Sequence, residues 1–174
     1  MLPLEHDLLK EEVKMAKNER LLHLAAAIVL TAVLVIGAGS NRANGSQVVN
    51  VGESLVIPIS EISETAKFFP VTADGTKMEI VAVTAPDGTI RTAFNTCQVC
   101  NGSPRAYFVQ QDITLQCQAC GNRFPMTRVG IDAGGCNPVP IFDEDKTVTA
   151  ESITVSYETL QANAYRFPSN WKTQ

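Results

Sequence analysis

Five cysteines lie within forty residues of this 174-residue chain, and thiols at this spacing could bind a metal or take part in redox chemistry. Four of them, Cys97, Cys100, Cys117 and Cys120, form the pattern C-x2-C-x16-C-x2-C. Two such pairs are a strong signal for a metal held by four thiolates. Cysteines three positions apart can turn both sulfurs toward one ion while backbone N–H groups of the loop point at those sulfurs. The two loops are called knuckle 1, residues 97–100, and knuckle 2, residues 117–120.

The fifth cysteine, Cys136, stands in the run Gly134-Gly135-Cys136-Asn137-Pro138. Two glycines before it and a proline after it predict a tight, constrained turn, as expected where a chain passes close to a metal. Cys136 is therefore a candidate ligand, or a sulfur that packs beside the ligands. A spectator thiol is the alternative.

The segment between the knuckles, residues 105–114 (RAYFVQQDIT), predicts a strand, a turn and a second strand. Such a hairpin would bring the knuckles face to face. Each knuckle is followed by Gly and Asn, residues that accept the positive φ expected just after the second cysteine.

Spacing alone leaves the nature of the centre open. Iron–sulfur clusters and structural zinc both take four thiolates, and Met78 and Met126 could serve a copper(I) ion or simply fill core space. Two disulfides would suit an oxidising compartment, although an odd fifth cysteine fits them poorly. A thiol–disulfide enzyme would place a Cys-x-x-Cys at the start of a helix, and neither knuckle precedes a helical pattern.

Histidine is missing from the part of the chain that carries the cysteines, because the two histidines are His6 and His23. This excludes Ser-His-Asp and Cys-His catalysis, histidine metal ligands and Cys-x-x-Cys-His haem attachment from that part. The formal net charge of −4 indicates no basic surface for nucleic acid. A non-enzymatic metal-binding or electron-transfer protein is favoured over an enzyme.

Residues 21–39 (LLHLAAAIVLTAVLVIGAG) carry no formal charge, and a run of this length suffices to span a bilayer as a helix. Four basic residues precede the run and only Arg42 follows closely, which predicts a cytoplasmic N-terminus and an outer, periplasmic or extracellular, remainder. A cleaved signal peptide is the alternative. The expected single-pass organisation in the cytoplasmic membrane is a cytoplasmic helical segment at 1–20, a transmembrane helix at 21–39, a linker at 40–46 and an outer domain at 47–174.

The outer domain is predicted to be mainly β, a small sandwich or barrel-like domain with an inserted double-knuckle metal motif. Residues 54–59 and 77–85 read as strands, with turn signals at 73–76 and 86–88 and a hairpin partner at 89–95. Residues 53–70 and 151–168 also resemble each other in apolar spacing, each reading as a strand, a helical turn and a closing aromatic residue. We infer two related β-elements that flank the cysteines.

Residues 87–140 contain DGTIRTAFNTCQVC, LQCQACGNRFPMTRVG and GGCNPVPI. These motifs resemble the membrane iron–sulfur proteins of the FtrD-like family, with the likeness covering about residues 47–168. The resemblance implies that Cys97, Cys100, Cys117, Cys120 and Cys136 are the motif cysteines. It also implies an iron–sulfur or related redox metal centre, used in electron transfer or metal relay beside an iron permease and a redox partner. A structural zinc ribbon that docks on a membrane transporter is the alternative function.

Overall fold

The structure is a computed structural model that describes the backbone of residues 42–43 and all of residues 45–173. The predicted cytoplasmic segment (1–20), the predicted transmembrane helix (21–39) and most of the linker (40–46) lie outside the described residues. Within the described part of the chain, no helix has the length and apolar character needed to cross a membrane.

The described residues form a mainly β domain of twelve strands and one α-helix, as the sequence predicts. The helix, α1, spans Tyr157–Asn163, and its N-terminus is capped by Ser156, whose side chain accepts a hydrogen bond from the backbone N–H of Thr159. The strands are β1 (Arg42–Ala43), β2 (Ser46–Val49), β3 (Ser54–Pro58), β4 (Lys67–Ala73), β5 (Thr76–Thr84), β6 (Ile90–Cys97), β7 (Phe108–Gln111), β8 (Thr114–Cys117), β9 (Arg123–Pro125), β10 (Pro138–Pro140), β11 (Lys146–Val148) and β12 (Ser152–Ser156).

The strands are arranged in three sheets. Sheet 1 has the order β1-β2-β4-β5-β6-β10, sheet 2 the order β11-β12-β3, and sheet 3 the order β7-β8-β9. Strands β2 and β4 run parallel, whereas β4, β5, β6 and β10 are antiparallel neighbours. The turn predicted at 73–76 joins β4 to β5 through Asp74 and Gly75, both at positive φ, as a two-residue hairpin loop requires.

Sheets 1 and 2 pack as a sandwich around one large apolar core. Sheet 2 contributes the fully buried Leu55, Ile57, Ile153 and Val155, which are the apolar positions shared by the two similar segments. Sheet 1 contributes alternate residues of its central strands, and α1 closes one side. The sheet 1 and helix members include Val71, Met78, Ile80, Phe94, Val139, Tyr157 and Leu160, and Phe167, beyond the helix, joins them.

The two similar segments lie side by side, because β3 and β12 pair antiparallel with Leu55 opposite Val155 and Ile57 opposite Ile153. This register relates the two strands by a local two-fold axis. The following turns differ: a 3-10 turn at Ile59–Glu61 after β3, and α1 after β12. The two related β-elements inferred from the sequence are thus found, and they pair with each other in a sandwich; the described strands do not close into a barrel.

Sheet 3 forms a third layer on the opposite face of sheet 1. A second core lies there, in which Val81, Val83 and Ala93 of sheet 1 contact the strands that carry the cysteines. Both faces of β5 are therefore covered, and its residues 78–83 are buried without interruption. The partial alternation in the sequence of β5 is weak for this reason. The second core also includes Cys97, Ala106, Phe108, Leu115, Cys117, Met126 and Val129.

A cluster of three polar side chains, Asn95, Glu79 and Lys172, joins this third layer to sheet 1. The side chain of Asn95 on β6 donates to the carboxylate of Glu79 at 2.7 Å and accepts from the backbone N–H of Phe108 on β7 at 2.8 Å. Lys172 completes the group by donating to both oxygens of Glu79, at 2.8 and 2.9 Å. Because Glu79 is only 6% exposed, these bonds compensate its desolvation and fix β7 against β6.

Gly130, on the chain segment between knuckle 2 and Cys136, crosses β6 too closely for any other residue. It has φ +71, and a Cβ atom there would lie 2.7 Å from the carbonyl oxygen of Thr92. We expect Gly130→Ala to lower the free energy of unfolding by about 3 kcal/mol or more, because backbone strain and a steric clash add. Chemical denaturation of the intact chain measures this loss.

Gly75→Ala is the matched control, since Gly75 has φ +74 but open space around its Cβ position. Strain alone should cost about 1 kcal/mol there. Equal losses for the two variants would show that the close approach to Thr92 has no energetic weight.

Candidate metal centre

The first cysteine of each knuckle is the last residue of a strand. Cys97 ends β6 and Cys117 ends β8, and both side chains are fully buried in the second core. The backbone N–H of Cys97 donates to Ala106 at 3.1 Å, and that of Cys117 donates to Asn122 at 2.9 Å. Strand pairing and core packing thus fix two of the five sulfurs before any metal binds.

The two knuckles are similar but not identical. In knuckle 1 the N–H of Cys100 points at the sulfur of Cys97, 3.4 Å away, and the first positive φ after it belongs to Gly102. In knuckle 2 it belongs to Gly121, directly after Cys120. The prediction of positive φ just after the second cysteine therefore holds for knuckle 2 and is displaced by one residue in knuckle 1, where the Asn101 side chain bonds back to Gln98.

The predicted hairpin between the knuckles is formed by β7 and β8, with Phe108 opposite Cys117. Its first strand begins at Phe108 rather than near Arg105. A turn that includes hydrogen bonds from Ser103 to Cys100 and from Ala106 to Ser103 fills residues 100–106. This turn allows the chain to leave knuckle 1 and return as β7, so that knuckle 2 comes to face knuckle 1.

Cys136 is carried to the same place by β10. In the register of β6 and β10, Pro138 lies opposite Cys97, with an irregularity between Pro138 and Val139. The preceding Gly134 and Gly135 have φ +84 and +82, so the predicted tight turn is present.

Both knuckles hold the Cys136 turn by hydrogen bonds. From knuckle 1, the side chain of Gln98 accepts from the N–H of Gly134 at 2.8 Å, and its backbone N–H donates to Asn137 at 3.0 Å. Beside knuckle 2, the side-chain amide of Asn122 donates to the carbonyl oxygen of Cys136 at 3.0 Å.

All five sulfurs converge. The Sγ atoms of Cys97, Cys100, Cys117 and Cys136 all lie within 4.8 Å of one another. The sulfur of Cys136 is 3.3 Å from that of Cys97 and 2.8 Å from that of the exposed Cys120. All five cysteines are free thiols, so the two-disulfide alternative is not found. Because soft sulfur donors in this number suit zinc, copper(I) or iron, the residues fit a thiophilic metal centre.

The pKa shifts of the thiols distinguish Cys120 from its neighbours. Burial raises the pKa of Cys100 to about 12 and also raises the pKa values of Cys117 and Cys136. Cys120 is the opposite case, because a hydrogen bond from the Cys136 thiol and another from the N–H of Asn122 lower its pKa to about 7. The metal-free site therefore keeps protons on Cys100, Cys117 and Cys136 at neutral pH, and metal binding must release them.

Other candidate residues are only partly brought to the centre. Met126 packs in the second core with the cysteines, whereas Met78 lies in the core on the other face of sheet 1. Arg91 and Arg128 pair with Asp87 and Asp132, which accounts for two of the arginines near the knuckles.

Sequence reasoning missed the residues that position the Cys136 turn, chiefly Gln98 and Asn137. Asn137 is 2% exposed, and its side chain donates to the carbonyl oxygen of Asp132 at 2.6 Å. The signal for Asn137 in the sequence was its place next to Cys136. The sequence gives no signal for Gln98, because its hydrogen bonds reach residues 36 or more positions away.

The comparisons with known proteins agree with this geometry. A family model described as "Membrane iron-sulfur containing protein FtrD-like" matches residues 62–167, which is more than half of the chain. The match confirms the resemblance drawn from the cysteine motifs. No curated protein and no solved structure matches the chain.

We expect Cys120 to be the first cysteine alkylated in the metal-free, reduced chain, because it combines exposure with a pKa of about 7. Its thiolate forms as the pH rises through that value, so its rate should level off above about pH 8. Iodoacetamide labelling from pH 5 to pH 9, followed by peptide mass spectrometry, measures the order. Labelling in denaturant, where all five thiols should react alike, is the control. Equal early labelling of Cys100 would contradict the prediction.

Proposed function

Because the chain belongs to the FtrD-like family of membrane iron-sulfur containing proteins, we propose that it is a membrane-anchored, extracytoplasmic iron-centre protein for electron transfer or metal relay in iron uptake. The observation that carries the proposal is the convergence of five thiols in a part of the chain without histidine. Iron held by thiolates supplies one-electron chemistry.

The graded exposure of the sulfurs supports exchange with a partner. Cys97 and Cys117 are fully buried, Cys100 and Cys136 are half-buried, and Cys120 is exposed. The site is thus fixed from the core side and approachable from the solvent side. Val99, at the tip of knuckle 1, is 67% exposed and adds apolar surface near that opening. The proposed binding partner is an iron permease subunit or a redox protein.

A structural zinc site is the second candidate, and one observation favours it. Cys97 and Cys117 belong to the second core, so a bound ion would join sheet 3 to sheet 1. Zinc in a four-thiolate site often contributes folding energy outright. In that case the β-domain would present a surface to a membrane transporter and take no part in electron transfer.

Anaerobic purification of the intact chain from its own membranes separates the two candidates. We expect a coloured protein with bound iron whose visible absorbance bleaches on reduction and returns on oxidation. The double variant Cys97→Ser, Cys117→Ser should lose both iron and colour, because it removes the two core-fixed sulfurs. A colourless protein that carries zinc and unfolds on chelation would reject the redox function in favour of the zinc ribbon.

Tags at the two ends of the intact chain test the proposed topology. We expect protease added to spheroplasts to remove a C-terminal tag and to spare an N-terminal one, because the basic residues before position 21 should keep the N-terminus in the cytoplasm. Detergent-treated cells, in which both tags become accessible, are the control. A protected C-terminal tag would place the cysteines in the cytoplasm and refute an extracytoplasmic role.

A further inference from the structure

We propose that this centre holds a single metal ion whose fourth ligand is Cys136, and that Cys120 stands outside the ligand set. The assignment departs from the pattern of the two knuckles, which selects Cys120. It rests on the proposed function only in requiring a resident metal.

The spacing of the sulfurs is closer to that around one ion than to that around a polynuclear cluster. An ion that binds four thiolates at about 2.3 Å keeps its sulfurs about 3.8 Å apart in a tetrahedron and never more than about 4.6 Å apart. The four sulfurs of Cys97, Cys100, Cys117 and Cys136 lie within 4.8 Å of one another, which nearly meets this limit. In a polynuclear cluster the thiolates bind different iron atoms bridged by sulfide, so its outer sulfurs must lie further apart.

Cys136 is held where a fourth ligand belongs. Its turn is bonded to Gln98 of knuckle 1 and to Asn122 beside knuckle 2. Because β10 pairs with β6, Pro138 lies opposite Cys97, and the Cys136 sulfur is 3.3 Å from that buried sulfur. A spectator thiol would need none of these restraints.

Cys120 lies on the solvent side of the same group. It is exposed, whereas the four grouped cysteines are buried or half-buried. Its sulfur contacts that of Cys136 at 2.8 Å and also interacts with those of Cys100 and Cys117, yet it lies more than 4.8 Å from at least one member of the group. Knuckle 2 therefore delivers one sulfur, Cys117, to the interior and presents the other, Cys120, at the surface beside the site.

The matched variants Cys120→Ser and Cys136→Ser test the assignment in the intact chain. Each is freed of metal under reducing, anaerobic conditions and titrated with Co²⁺, whose sulfur-to-metal absorbance grows with the number of bound thiolates. We expect Cys120→Ser to keep the wild-type spectrum and affinity. Cys136→Ser should lose part of the absorbance and bind more than about 100-fold more weakly, beyond the loss typical of residues that only support a ligand.

Circular dichroism of both metal-free variants checks that each is folded. A Cys136→Ser variant with the wild-type spectrum and affinity would overturn the assignment, and so would loss of the site in Cys120→Ser. If Cys136→Ser does not fold, the Cys120→Ser titration decides alone, because a four-thiolate spectrum without Cys120 requires Cys136.

Measuring iron and acid-labile sulfide in the anaerobically purified wild-type chain tests whether the centre holds a single ion. We expect one metal per chain and no sulfide. Two or more irons with matching sulfide would overturn the single-ion assignment and leave the proposed redox function intact. A chain that binds no metal in any form would instead overturn the proposed function itself.

Discussion

The arrangement of this domain depends on two contacts of β6, one at its edge and one on its face. Strand β6 pairs with β10 at its edge, and its Asn95 side chain holds β7 against its face. The pairing with β10 brings Cys136 to Cys97, and the Asn95 contact brings the hairpin that ends in Cys117. Without these contacts the cysteines would be three separate stretches of chain. With them, sulfurs up to 39 residues apart in sequence lie in contact.

The site and the hydrophobic core share residues. Cys97 and Cys117 are fully buried beside Phe108 and Leu115, so two sulfurs serve as core side chains as well as candidate ligands. Metal binding and the packing of sheet 3 are therefore coupled, because an ion bound there must displace the proton of Cys117, whose pKa burial raises. This coupling is compatible with either iron or zinc, and the family membership is what favours iron.

The exposed edge of the site distinguishes it from an enclosed structural ion. Cys120 is the most exposed of the five cysteines, and hydrogen bonds from Cys136 and Asn122 lower its pKa to about 7. A partner that approaches from the side of Cys120 would contact its sulfur first. On the other side of the group, Cys97 and Cys117 are fully buried in the second core.

The sequence by itself determined the class of the domain and the five cysteines, because local patterns carry both. Alternating apolar residues, turn dipeptides and Cys-x-x-Cys spacing act over a few positions, and the strands, the Asp74–Gly75 turn and the glycine turn before Cys136 followed from them. The shared apolar spacing of β3 and β12 likewise reflected a common place in one core. The anchor predicted at 21–39 stays a prediction.

Only the tertiary structure decided which of the five cysteines are buried and which one is exposed. The knuckle pattern treats Cys117 and Cys120 as equals, yet core packing buries one and leaves the other exposed. The place of Cys136 depends on the register of β10 against β6 and on hydrogen bonds from Gln98 and Asn122, which join residues distant in sequence. Such contacts leave no periodic mark on the chain, because each is fixed by the packing of whole sheets rather than by neighbouring residues.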